Sequence, residues 1–249
     1  MQPEIKFLLH LADCPLILGQ RLAEWCGHGP VLEQDIALTN ISLDLIGQAR
    51  LLYQYIATLQ GPETDEDKLA MLRYEQEYLN FLLVELPNKD FGNTIARQFF
   101  YDAFNLIQYE KLISSADIMI SQIATKTIKE IKYHYRYSSE WMIRLGDGTE
   151  TSHTFVQEAV NNLWKYTGEM FSPASYELEL LNQGKALNVN ALKAEWNAKV
   201  AGVFQPAGLI VPTEESFITG GKEGRHSEHM GFILTELQYM QRTYPAMKW

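Results

Sequence analysis

Apolar and polar positions along this chain fall into long helical stretches, and the helix-breaking residues between them come in clusters. Between Asn93 and Leu145 there is neither proline nor glycine over 53 residues, and from Val31 to Gln60 the one breaker is Gly47. Strands are short and need turns between them, so runs of this length predict long helices. The pattern predicts a helix over 4–26, ended by Gly27 and Gly29, and a second over 31–60, ended by Gly61 and Pro62. A third is expected over 65–85, closed by Pro87 and Asn88. The fourth and fifth cover 93–114 and 117–145, with Ser114 to Asp117 as a capped joint between them. A sixth opens at Thr151 and Ser152 and stops near Ser172 and Pro173. Shorter pieces follow at 175–183 and 189–204, then a link holding Pro206, Gly208 and Pro212, and a last helix near 226–243. No segment alternates with period two, so the fold class is all-α with no sheet. Short joints force neighbouring helices antiparallel. The expectation is one helical domain over 1–249, its bundle core at about 4–172 and a C-terminal helical extension, about 173–249, wrapping that core.

Charge narrows the functional classes. The 249 residues carry 21 Lys and Arg against 31 Asp and Glu, a net charge of −10. A nucleic-acid binder presents a basic face, and an anionic membrane surface attracts basic segments, so neither partner is expected. The N-terminal apolar stretch is broken by His10, Asp13 and Pro15 and lacks a basic leader and a cleavage site, so it does not read as a signal peptide. No run approaches the roughly 18 to 20 apolar residues of a spanning helix. Cys14 and Cys26 have no CxxC or histidine neighbour at metal-ligand spacing and read as reduced, mostly buried thiols. The expected location is the cytoplasm.

Polar residues on the apolar stripes carry the chemistry. One face of the second helix reads Ala37, Ile41, Asp44, Gln48, Leu52, Tyr55, and one face of the fourth reads Ile95, Phe99, Asp102, Leu106, Tyr109, Ile113. The fifth presents Ile120, Ile123, Thr127, Ile131, His134, Ser138 and Trp141, with Glu130 at the edge, and Glu24 lies on the first helix. Ferritin-like di-iron proteins place a Glu on each of two helices and a Glu-x-x-His pair on each of the other two. The three-residue spacing puts both members of a pair on one face, toward the irons. Against that template Asp44 is followed three residues later by Gly47 where a His belongs, and His134 is preceded by Ile131 where a Glu belongs. Glu130 precedes His134 by four residues and so points to another angle round the helix. Glu24, Asp44, Gly47, Asp102, Ile131 and His134 therefore read as vestigial di-iron positions. No metal or other cofactor is expected in this chain, and buried Asp–His–Gln hydrogen bonds are expected to hold the bundle in register. The alternative is a self-sufficient di-iron oxygenase or oxidase using Glu24, Asp44, Asp102, Glu130 and His134.

Several motifs carry a family resemblance. They are Gln20–His28 (QRLAEWCGH), Ile41–Arg50 (ISLDLIGQAR), Asn93–Gln98 (NTIARQ) and Lys129–His134 (KEIKYH). The terminal stretch adds Thr219-Gly220-Gly221, Gly224 to His229, Gln241-Arg242 and Trp249. Over nearly its whole length the chain resembles the C subunits of bacterial phenylacetyl-CoA epoxidase complexes. The resemblance implies a ferritin-like fold and a catalytic A subunit as partner, which holds the di-iron centre. It also implies a reductase subunit supplying electrons from NADPH. The complex epoxidises the ring of phenylacetyl-CoA with dioxygen in aerobic phenylacetate breakdown. The C-type subunit is its structural, non-catalytic member, which agrees with the gaps at Gly47 and Ile131.

The glycine-rich tail invites two readings. Thr219 to His226 runs into the last helix, and glycines beside Lys222, Arg225 and a helix start could contact the CoA phosphates. The segment matches neither GxGxxG after a strand nor GxxxxGK[ST], and the preferred reading is a loop whose glycines position the helix against the partner, with the CoA-phosphate contact at Lys222 and Arg225 as the sharper alternative. His226 and His229 with one Glu form an incomplete zinc set. A helical acyl-CoA-binding module is the second alternative function. Aromatics on more than one face, among them Tyr53, Tyr55, Phe99 to Tyr101, Phe104, Tyr133, Tyr135 and Tyr137, suggest an obligate interface.

Overall fold

The computed structural model describes residues 1–213, 216–245 and 247; Trp249 of the terminal motif lies outside the described residues. Among the described residues there are helices and no strands. They run α1 (Pro3–Ala23), α2 (Leu32–Gln60), α3 (Glu66–Met71), α4 (Leu82–Glu85) and α5 (Phe91–Leu112). Then come α6 (Ile118–Gly146), α7 (Glu150–Trp164), α8 (Ser175–Leu181), α9 (Val189–Ala207) and α10 (Glu228–Thr243). Long helices joined by short connections are consistent with a ferritin-like helical bundle. None of the helices is long and apolar enough to cross a membrane among the described residues. The chain forms two compact units, one of Met1–Pro87 with Gly220–Trp249, the other of Asn88–Thr219.

In the first unit α1 and α2 pack as a pair. Pro3 starts α1, where its missing N–H costs nothing, and nearly every side chain from Ile5 to Leu22 is buried. The two helices come close at Gly19. A Cβ there would lie 3.1 Å from Ile46 Cγ1, and Ser42 Oγ donates to the Gly19 carbonyl at 2.7 Å.

The expected helix over 65–85 does not form. It breaks into α3, a single 3-10 turn at Glu75–Glu77, and α4. The cause is a carboxylate far away in the sequence. Asp13, fully buried in α1, accepts from Tyr53 Oη at 2.5 Å, from Leu79 N at 2.8 Å and from both terminal nitrogens of Arg73. Arg73 also donates to the Leu69 and Glu77 carbonyls and lies 4.0 Å over the Tyr78 ring. A buried carboxylate left unpaired costs several kcal/mol, more than a turn or two of helix contributes. On α10, Gln238 donates to the Arg73 carbonyl, and Arg242 donates to those of Leu72 and Arg73.

The second unit gathers α6, α7 and α9 about α5, which is buried on all sides from Asn93 to Tyr109. Asp90 caps α5 and Asp117 caps α6, the latter at the expected joint. Phe99, Phe100 and Phe104 pack with Trp164, Phe171, Trp196 and Phe204 from the surrounding elements. Trp196 Nε1 donates to the Phe100 carbonyl at 3.1 Å. The aromatics of α5 therefore fill a core inside the chain and do not form the outer interface that their distribution suggested. Of Tyr53, Tyr55, Phe99 to Tyr101, Phe104, Tyr133, Tyr135 and Tyr137, only Tyr133 is exposed. The thiols also differ from expectation. Both are free, with Cys14 buried but Cys26 exposed.

Candidate functional site

The six positions compared with the di-iron template, and Glu130, divide between the two units. In the first, Glu24 caps the end of α1, is exposed, and accepts from Arg21 at 2.8 Å. Asp44 is half-buried on α2, and Gly47 is exposed, with open space where a side chain would stand. In the second unit Asp102, Ile131 and His134 are all buried, and Glu130 is half-buried. Gly47 and Ile131 offer no side-chain atom that could ligate a metal.

The second unit brings Asp102 and His134 together. Asp102 Oδ1 accepts from Gln98 Nε2 at 2.7 Å, one turn earlier on α5. Its Oδ2 accepts from Ser138 Oγ at 2.7 Å, one turn after His134 on α6. Burial pushes the Asp102 carboxyl up to about 6, against the lowering effects of the His134 charge and the Ser138 and Gln98 hydrogen bonds. Gln98 was not singled out from the sequence, although Gln and Asp four apart on a helix is a recognised hydrogen-bonding pair. Among the described residues no three or more His, Cys, Asp or Glu side chains are grouped so as to hold a metal ion.

In the first unit the terminal glycine loop seats α10. A Cβ at Gly221 would lie 2.1 Å from the Asn80 carbonyl oxygen, so only glycine lets the two backbones meet. Lys222 is buried at 3% exposure, its ammonium 5.7 Å from the Phe81 ring centre. Arg225 is exposed and pairs with Glu223 at 2.8 Å. Beyond this loop a second buried cluster forms that sequence reading missed. Glu85, fully buried, accepts from Asn80 Nδ2 at 3.0 Å, from Ser227 N at 2.5 Å and from His226 Nδ1 at 2.8 Å. His226 Nε2 lies 2.9 Å from the Tyr78 carbonyl. Both ring nitrogens face acceptors, so the ring must donate twice, and it does so as an imidazolium beside a carboxylate. Burial lowers the His226 pKa, but the hydrogen bond and charge of Glu85 outweigh it and leave it raised. Arg21 of α1 donates to the Glu85 carbonyl and completes the cluster.

The whole chain, residues 1–249, matches the family described as phenylacetic acid catabolic protein. It belongs to that family. Within the family it is similar to the C subunit of the 1,2-phenylacetyl-CoA epoxidase of Escherichia coli (strain K12). The two are 46% identical over 243 residues, which cover 98% of each chain. Such coverage makes the chain a homologue of that protein from end to end. That relative is named as one subunit of an epoxidase.

Proposed function

We propose that this chain is a non-catalytic structural subunit of a phenylacetyl-CoA epoxidase, working in the cytoplasm to bind and stabilise the di-iron catalytic subunit. The observation that carries this reading is the 46% identity, over 98% of both chains, to the C-type member of such an epoxidase. The side chains at the vestigial positions support it. Asp102 spends its two oxygens on Gln98 and Ser138, Glu24 is engaged by Arg21, and Gly47 and Ile131 supply no ligand. In this reading the partner's di-iron centre would supply the oxygen chemistry, with electrons from NADPH by way of a reductase subunit. This chain's own residues do no redox work. They build a rigid support against which the catalytic subunit holds phenylacetyl-CoA.

The test is to purify the chain with and without the catalytic subunit and to assay iron, CoA-ester binding and ring epoxidation in each sample. We expect epoxidation, with reductase and NADPH supplied, from the mixture and none from this chain alone. Epoxidation by this chain alone, or a stoichiometric iron pair bound to it, would overturn the reading in favour of a self-sufficient oxygenase. Tight CoA-ester binding by the isolated chain would favour an acyl-CoA-binding module.

A further inference from the structure

The charge on α6 runs against that of the chain. The protein as a whole carries −10, yet α6 holds five basic residues against two acidic ones. Lys126, Lys129, Tyr133, Arg136 and Tyr137 follow one another at spacings of three, four, three and one, which sets them along one stripe of the helix. The opposite side of α6, with Ile120, Ile123, Ile131 and Met142, is buried. Along the outer stripe Lys126, Lys129, Tyr133 and Arg136 are exposed and Tyr137 is half-buried. The Arg136 guanidinium lies 5.6 Å over the Tyr133 ring, and the Tyr133 and Tyr137 rings are 6.4 Å apart.

Neighbouring cations on α6 are matched with acids. Lys132 pairs with Glu110 at 3.8 Å and Arg144 with Glu140 at 3.7 Å. Among the described residues Lys126, Lys129 and Arg136 take part in no ion pair. Lys126 and Lys129, three residues apart on the helix, repel each other, while Glu130 and Glu140 stand four residues after Lys126 and Arg136 without closing an ion pair to them. Arginine and tyrosine, here already stacked, are the residue types that anchor protein interfaces, and lysines at the rim steer an oppositely charged partner into place.

We propose that the outer face of α6 docks an acidic, Asp- and Glu-lined surface of the catalytic partner subunit. This rests on the reading of the chain as a structural subunit and gives that subunit its contact face. A second copy of the chain is a poor occupant. A two-fold contact through this face would set lysine against lysine, because a two-fold axis presents the same patch to itself.

The experiment compares the full-length chain with its triple variant Lys126→Glu, Lys129→Glu, Arg136→Glu. Affinity for the di-iron subunit is measured between about 0.05 and 0.5 M salt, a range over which surface charges become screened. All three positions are exposed, and circular dichroism and thermal melting establish that the variant is folded. We expect the wild-type complex to weaken as salt rises, and the variant to bind about tenfold or more weakly with a flatter salt dependence. The charge-preserving variant Lys126→Arg, Lys129→Arg, Arg136→Lys should bind like the wild type. Equal affinity and salt dependence in wild type and triple variant overturn the α6 face and leave the subunit reading standing. A wild-type chain that does not bind the di-iron subunit overturns the subunit reading and this face with it. Self-association of the wild type that the triple variant loses overturns the proposal in favour of a second copy. Phenylacetyl-CoA binding that the variant loses overturns it in favour of a small anionic ligand.

Discussion

Asp102 is a carboxyl for which the protein interior is a worse place to ionise than water. Its pKa rises from 3.8 to about 6, because burial outweighs the help of His134, Ser138 and Gln98. A carboxyl with a raised folded pKa holds its proton more tightly folded than unfolded. Its effect on stability is therefore nil below about pH 4 and becomes a growing penalty as the pH climbs to about 6. A shift of this size corresponds to about 3 kcal/mol at neutral pH. Asp102→Asn removes the ionisation and keeps an oxygen for one of the two donors. Urea midpoints measured from pH 4 to 7 should then show the penalty in the wild type and not in the variant. Parallel pH profiles for the two proteins would show that Asp102 does not ionise in this way. At this scale the sequence made Asp102 and His134 visible, as polar residues on apolar stripes. It could not show that Ser138 of α6 reaches Asp102 of α5, because that depends on how α5 and α6 are rotated against each other.

Among the elements, α10 shows most clearly how a distant segment is held. Its start is fixed by the Glu85–His226 pair and by Ser227 N on the same carboxylate, and Gln238 and Arg242 then bind the broken segment after α3. A histidine with a raised folded pKa stabilises the fold fully below its unfolded value, about 6.5. That contribution is lost as the pH rises through the folded value. Amide protection in α10, corrected for intrinsic exchange, should therefore fall as the pH rises from about 6 toward alkaline values. In Glu85→Ala, where His226 is left without its counter-charge, the cost should be about 3–5 kcal/mol. Hydrogen exchange across 228–243 reads both effects, and protection that is insensitive to pH would rule out an imidazolium at His226. Sequence pattern placed α1, α2, α5, α6 and α10 within a few residues, since each is written in local breakers and periodicity. It misread 65–85, because the interaction that breaks this helix comes from Asp13, some sixty residues upstream.

For the molecule as a whole, the proposed role predicts a linked stability. A partner that binds only the folded catalytic subunit stabilises it by mass action, by about 2.7 kcal/mol at a hundredfold excess over Kd. Adding this chain to the purified di-iron subunit should accordingly raise that subunit's unfolding midpoint in a concentration-dependent way. The rise should shrink with the α6 charge-reversal variant. A midpoint that does not move with added chain would count against the supporting role, since binding to the native state alone must shift it.

What the sequence determined by itself was everything written in short-range pattern. That covers the helical class, the positions of the long helices, the departures from the di-iron template at Gly47 and Ile131, and the motifs that carry the family. Tertiary structure decided what depends on side chains meeting across long separations. It buried Lys222 against Phe81 and left Arg225 outside, packed the α5 aromatics into a core, and paired Glu85 with His226 across 141 residues. Periodicity fixes which side of a helix is apolar. Only packing decides which polar residue faces another, because the gain from pairing buried charges appears when both have left water.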